Sequence, residues 1–281
     1  PSSEVVADFE FIMISNRPDI ASLCCESGVD RIMVDLEREG KLERQGHRDT
    51  FISTHVLGDV ERIAAAVGSR PLLVRINPWN EGSVREVNDV LDRGAGAIML
   101  PMFRTVREVN ELVEAVAGRA EVIPLLETRE ALECVDQLAG IPGLTRLHVG
   151  LNDLHMALGR RFLFELLVDG TIERVATACR ASGLPFGVGG VARVGEGLVP
   201  AELVLAEHAR VGSTGGILSR TFHRAAASSV EIRKSMDMPA EVARLRAVYR
   251  SASQASASAL QQSRAVLAGR IDMAIRAVAA R

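Results

Sequence analysis

Eight short apolar runs, each followed by a stretch of helical periodicity, limit what this chain can fold into. They are FEFIMIS (9–15), DRIMVDLE (30–37), PLLVRIN (71–77), GAIMLPM (96–102), EVIPLLE (121–127), TRLHVGL (145–151), PFGVGG (185–190) and GGILSR (215–220). Apolar runs alternating with helical segments describe parallel strands buried on both faces. Eight such units predict an α/β fold, a closed (β/α)8 TIM barrel rather than an open sheet. The connecting segments carry helix signals. Ser83 with Glu86, and Thr105 with Glu108, have the spacing of a capping box. Gly94, Gly118, Gly140, Gly183 and Gly212 fall where helices should stop. Pro124 removes one ladder donor from the fifth run, so that strand is expected to be short or bulged.

Two segments leave this rhythm. Residues 38–59, REGKLERQGHRDTFISTHVLGD, form a polar insert after the second run, long enough to be expected as functional or disordered. Beyond Arg220 the chain reads as helix to its end, more than one barrel helix requires. The expected division is a barrel over 1–224 and C-terminal helices over 225–281 that carry homo-oligomerisation. The serine-rich stretch 251–258 reads as a turn or a link.

Composition narrows the function classes. The 281 residues are 47% hydrophobic and 25% charged, as in ordinary globular proteins. A net charge of −3, one Trp and one Tyr give neither the basic field nor the stacking platforms of a nucleic-acid binder. The opening PSSEVVADFE has no signal-peptide pattern, and no apolar stretch is long enough to span a bilayer. A cytoplasmic protein without a membrane partner is expected. Cys24, Cys25, Cys134 and Cys179 lack zinc-site spacing and read as reduced thiols.

Barrel enzymes place their chemistry at the carboxyl ends of the strands. There this sequence has Asp35 and Glu37, Arg75 and Asn77, Glu127, Asn152 and Asp153, Gly189 and Gly190, and Ser219 and Arg220. Residues two apart on a strand share a face, so Asp35 can point with Glu37, and Arg75 with Asn77. Several carboxylates in a dry barrel mouth are costly unless compensated. A hard cation, Mg²⁺ or Mn²⁺, would compensate them, and the absence of an adjacent histidine makes zinc a poorer fit. Each residue also has a structural reading. Asp153 could N-cap the helix begun by LHMALG, Glu127 could favour the positive end of the helix that Thr128 caps, and Arg75 could serve a structural ion pair. Convergence at the strand ends favours a site. His148 reads as a core histidine, His155 as support, and His208 has no assigned role. His47 and His55, in the insert, are the better candidates for moving a proton. The glycines of GVGGVARVGEG (187–197) and VGSTGG (211–216) occupy the phosphate position of many barrels, and equally suit tight turns. No Walker or dinucleotide fingerprint appears in the right context.

Taken in order from residue 9 to 224, VDLE, LLVRIN, GAIMLPMFRTVREV, PLLET and VGLNDLHMALG resemble the HpcH/HpaI aldolase and citrate lyase β-subunit-like family. The resemblance implies a Mg²⁺- or Mn²⁺-dependent carbon–carbon lyase, a class II-type aldolase. Such an enzyme would act on a 4-hydroxy-2-oxo acid through a pyruvate enolate. It implies Glu127 and Asp153 as metal ligands and Arg75 as the group that holds the 2-oxo acid and stabilises the enolate oxygen. Backbone amides near Leu151 and Asn152 would bind the carboxylate. The implied partners are a 2-oxo acid, pyruvate or oxaloacetate-like, and an aldehyde. Family aldolases follow the strand-two Glu with a catalytic His, and the citrate lyase-like branch has an acid there; this chain has Arg38. The proton-transfer group stays open among Asp35, Glu37, His47 and a metal-bound water. Two alternatives are a lyase or synthase of acyl-CoA thioesters, of the citrate lyase β or malyl-CoA type, and a non-catalytic barrel acting as a binding subunit.

Overall fold

A computed structural model describes residues 8–38, 54–223 and 226–279. Its strands are β1 (Glu10–Ile14), β2 (Arg31–Asp35), β3 (Leu72–Arg75), β4 (Ala97–Leu100), β5 (Glu121–Leu126), β6 (Leu147–Val149), β7 (Phe186–Val188), β8 (Gly190–Val191) and β9 (Gly215–Leu218). All pair in parallel, in the order β7-β6-β5-β4-β3-β2-β1-β9-β8. Each of the eight apolar runs holds a strand, and the seventh holds β7 and the first residue of β8, which ends at Val191.

The wall closes at Gly189, between β7 and β8. Its N–H donates to Val149 O (2.8 Å) on β6, and its carbonyl accepts from Ile217 N–H (3.0 Å) on β9. A side chain does not fit there. Gly189 has φ +47°, and a Cβ would lie 2.4 Å from Leu151 Cδ1. The result is a (β/α)8 barrel with its seventh strand divided by one glycine.

Pro124 neither shortens nor bulges β5, which at six residues is the longest strand. The pairing changes partner there. Glu121 to Pro124 face β4, whereas Leu125 and Leu126 face β6. The lost donor therefore sits at a handover rather than within a continuous ladder.

The helices between strands are α1 (Pro18–Glu26), α2 (Leu57–Val67), α3 (Ser83–Asp92), α4 (Val106–Val116), α5 (Arg129–Glu133), α6 (Val135–Ala139), α7 (Leu151–Ala157), α8 (Thr171–Ser182) and α9 (Ala201–Val211). Thr105 and Glu108 form the expected capping box on α4. Ser83 and Glu86 do not. Gly82 caps α3, Ser83 Oγ accepts from Asn80 N–H, and Glu86 reaches back to Asn77. The insert also ends early, because α2 begins at Leu57.

Two apolar layers hold the structure. One lies between strands and helices; the other fills the barrel with Ile12, Met33, Leu73, Ala97, Met99, Ile123 and Leu125. The amino ends of the strands are closed by charge. Arg31 meets Glu10 (2.9 Å) and Glu121 (2.7 Å), with Arg146 near Glu10 (3.5 Å). After β9 come α10 (Ser229–Ser235), α11 (Met238–Ser253) and α12 (Ala257–Ala279), so 251–258 holds a short turn. These helices pack on the barrel. Tyr249 Oη donates to Ser213 O (3.1 Å), and Arg246 donates to Phe9 O and Gly28 O (2.7 Å each). All four cysteines are free thiols, and burial pushes Cys24 and Cys179 up to about 12. Among the described residues no helix is long and apolar enough to cross a membrane.

Candidate active site

Neighbouring strands β2 and β3 bring Asp35 and Arg75 side by side in register. Arg75 Nε donates to Asp35 Oδ1 (2.8 Å) and Nη2 to Oδ2 (2.7 Å), a two-pronged pair. Glu37 approaches Arg75 Nε at 3.5 Å. The three are gathered as the strand ends suggested. Burial alone would lower the Arg75 pKa, but Asp35, Glu37 and Glu127 outweigh it and raise it further. Arg75 is a fixed cation at the mouth. Asn77 does not join it. The strand ends at Arg75, and Asn77 lies beyond, donating to Glu86 (2.9 Å) and accepting from Arg38 N–H (2.9 Å).

Glu127 follows β5 and is buried, 4% exposed. Its Oε1 accepts from Met102 N–H (3.0 Å). Met102 is held at φ +53°, a costly conformation for a non-glycine residue, at the end of β4. Burial pushes the Glu127 pKa up to about 8, with Glu37 and Asp153 adding to the rise; Arg75 and Met102 N–H oppose it. Thr128 caps α5 as expected, accepting from Ala131 N–H, and its hydroxyl donates to Phe103 O (2.7 Å).

Asp153 is not an N-cap. Gly150 takes that position, and Asp153 is the third residue of α7, partly buried. Gly150 has an ordinary extended backbone, φ −85° and ψ 97°. Its role is clearance, because a Cβ there would lie 2.6 Å from Glu127 Oε2. Glu37, Arg75, Glu127, Leu151, Asn152 and Asp153 all line one cavity of about 460 Å³.

The histidines separate by place. His148 projects into the barrel from β6, lines the floor of this cavity, and has no hydrogen-bond partner of good geometry on either ring nitrogen among the described residues. Burial, then Arg146, lowers it to about 4. His155 Nδ1 contacts Leu151 O (3.1 Å) and is buried in α7, a supporting position. His47 lies outside the described residues. His55 is buried behind Asp35, and its Nδ1 accepts Asp35 N–H (2.9 Å). With Nδ1 accepting Asp35 N–H, the lone pair on that nitrogen is engaged and is not open to take a proton from a substrate. Arg38 points away from the cavity, donating to His55 O (2.8 Å). Sequence reading did not link His55 to Asp35 or Met102 to Glu127. Neither contact has a spacing signal, because folding alone brings these segments together.

A metal fits this chemistry in one form. Among the described residues no three His, Cys, Asp or Glu side chains form a ready cage. Glu127 and Asp153 supply two carboxylates, and Asp153 and Glu37 both disfavour the charge on Glu127. Mg²⁺ binds through one or two carboxylates and leaves its other positions to water and substrate. Two acids, an arginine and an open cavity match that requirement.

Together the parallel closed barrel and the acidic cavity at its carboxyl end define a barrel protein of the active-site type. Residues 11–193 match the family described as HpcH/HpaI aldolase/citrate lyase. The chain belongs to that family, which supports a lyase. Similar solved structures share the fold at low identity. An HpcH/HpaI aldolase from Desulfitobacterium hafniense is 18% identical with a TM-score of 0.60, over 82% of this chain and 94% of that one. The citrate lyase β subunit of M. tuberculosis, complexed with oxaloacetate and magnesium, is 18% identical with a TM-score of 0.59, over 87% and 98%. Macrophomate synthase is 17% identical with a TM-score of 0.56, over 82% and 85%. No curated protein matches the sequence.

Proposed function

We propose that this protein is a divalent-metal-dependent aldolase that cleaves or forms a 4-hydroxy-2-oxo acid through a pyruvate enolate. The observation that supports it most is the meeting of Arg75, Glu37, Glu127 and Asp153 on one cavity wall. Glu127 and Asp153 would hold Mg²⁺ or Mn²⁺, which supplies Lewis-acid stabilisation of negative charge on the oxo acid. Arg75, already fixed by Asp35, points a preorganised cation at the C2 oxygen. Leu151 and Asn152, in the first turn of α7, offer backbone N–H groups for the C1 carboxylate.

Glu37 takes the proton of the C4 hydroxyl. It lines the cavity, whereas both oxygens of Asp35 engage Arg75 and His55 Nδ1 is engaged by Asp35 N–H. As that proton leaves, the C4 oxygen becomes the aldehyde carbonyl and the C3–C4 bond breaks. Its electron pair becomes the enolate, and protonation at C3 releases pyruvate. In the forward condensation the same residues act in reverse order. Homo-oligomerisation through α12 belongs to the same reading, supported by Val266 and Met273, which are exposed on that helix.

The experiment is exchange of the pyruvate C3 protons in D₂O, followed by NMR. Exchange is expected with Mg²⁺ or Mn²⁺, and is expected to vanish with chelator and in Glu127→Ala and Asp153→Ala proteins that keep their circular dichroism. Full exchange after chelation would overturn the reading. The citrate lyase β likeness supports a second reading, cleavage of an acyl-CoA thioester. Parallel assays with free acid and CoA thioester separate the two.

A further inference from the structure

The cavity mouth has two lips of different character, one from the chain after β6 and one from the chain after β8. The first is the 3₁₀ turn Leu163–Leu167, whose Leu163 and Phe164 line the cavity. It is tied down. Phe164 meets Phe162 edge-on with ring centroids 5.4 Å apart, and Glu165 Oε2 accepts Arg161 N–H (2.7 Å) and Phe162 N–H (2.9 Å).

The second lip is residues 192–199, of which Ala192 and Gly197 line the cavity. Both of its ends are anchored. Arg193 N–H donates to Thr221 Oγ1 (3.1 Å), itself on the cavity wall. The Arg193 guanidinium reaches Glu196 (3.2 Å) and Glu241 of α11 (3.4 Å). At the other end Val199 is buried in the core. Between the anchors the backbone is loosely held. Glu196 N–H donates to Arg193 O (3.0 Å), but among the described residues the N–H groups of Val194, Gly195, Gly197 and Leu198 meet no acceptor. Gly195 and Gly197, at φ +81° and +93°, flank Glu196. Segments with so few backbone hydrogen bonds open readily.

Leu198 is 71% exposed, the most of any large apolar side chain described. A single exposed leucine carries no message by itself. Here its neighbour Gly197 lines the cavity, and a half-buried apolar pair, Leu163 and Phe164, stands on the adjoining lip. Contact between Leu198 and that pair would take apolar surface from water on both sides. An enolate in the cavity needs such a cover, because water would protonate it before it meets an aldehyde.

We propose that residues 194–198 are a lid. When the metal and the 2-oxo acid are bound, the tip folds over the mouth, sets Leu198 against Leu163 and Phe164, and shuts water out. This rests on the aldolase reading above. The exposed Leu198 marks the open form, and Arg193, fixed to Thr221 and to α11, is the pivot.

The test is hydrogen–deuterium exchange by mass spectrometry on the full chain with Mg²⁺ and oxalate, a planar dianion shaped like the pyruvate enolate. Calorimetry establishes saturation. The amides of 194–198 are expected to exchange at least tenfold more slowly with Mg²⁺ and oxalate than without. Leu198→Ser is expected to keep oxalate binding and lose at least fivefold of that slowing, and Leu198→Met to retain it. A second readout is the fate of the enolate with pyruvate and propanal in D₂O. The ratio of C3 deuteration to adduct is expected to rise at least fivefold in Leu198→Ser and to stay unchanged in Leu198→Met. Unaltered exchange of 194–198 at saturation, or equal ratios in wild type and Leu198→Ser, would overturn the proposal. If pyruvate C3 exchange is absent but Mg²⁺ and oxalate still slow 194–198, the aldolase reading fails and the lid stands. If C3 exchange is present and 194–198 stay fast, the lid fails alone. No binding of Mg²⁺ and oxalate would overturn both.

Discussion

Arg75 grips Asp35 across adjacent strands through two parallel contacts of 2.8 and 2.7 Å, and both side chains are largely withdrawn from water. The pair stands at the wall of the acidic cavity, which Arg75 lines. It fixes the guanidinium plane before any substrate arrives.

Removing one partner of such a pair strands the other. Asp35→Asn is expected to lower unfolding free energy by about 3–5 kcal/mol, measured by urea titration. A loss below about 1 kcal/mol would place the pair among exposed ones. Arg75→Lys keeps the charge and loses the fork, and is expected to lower the pyruvate exchange rate by roughly 100-fold or more.

Glu127 is a carboxylate in an unfavourable place, buried and facing two other acids. Metal binding and stability should respond to its loss in opposite directions. Glu127→Gln is expected to weaken Mn²⁺ binding by at least tenfold in calorimetry while leaving the metal-free melting temperature equal or higher. A variant that melts lower yet binds Mn²⁺ normally would assign Glu127 a purely structural role.

Gly150→Ala introduces a methyl group 2.6 Å from Glu127 Oε2 and 3.3 Å from Leu125 Cδ1. The carboxylate must shift. Mn²⁺ affinity is expected to fall roughly tenfold, with a stability loss of about 1–3 kcal/mol from overpacking. Unchanged metal affinity would show that Glu127 has room to move without consequence.

His208, buried on α9 with Nδ1 2.8 Å from Ser213 Oγ, is pushed down to about 3, by burial first and then by His148. Its folded pKa lies below its unfolded value of 6.5. The unfolded chain therefore binds the proton first, and the stability from the neutral ring is present above pH 6.5 and lost as pH falls toward 3. The urea midpoint of wild type should drop across that window more steeply than that of His208→Asn, whose amide can keep the Ser213 contact. Parallel curves would remove His208 from the acid response.

The barrel was legible because buried parallel strands have a strong signature, and all eight apolar runs lie on the wall. The ends of elements were less so. Glu86 has the spacing of a capping partner for Ser83, yet Asn77 competes for it, and that competitor becomes visible only when the β3–α3 loop is folded. The site was legible as residue types at strand ends, since Arg75, Glu127 and Asp153 do reach one cavity. How they are held was not. Met102 N–H, the clearance at Gly150 and the Asp35–His55 contact depend on distances between segments, for which a linear pattern carries no signal.

The wall closes through Gly189, whose N–H serves one neighbour and whose carbonyl serves the other. One residue thus sets the offset between β6 and β9 across the closure. Inserting or deleting a residue at 189 would satisfy one side and misalign the other. A spare residue is tolerable in most loops of this protein, but at this seam it would unseal the cylinder beside the cavity where the chemistry is proposed to occur.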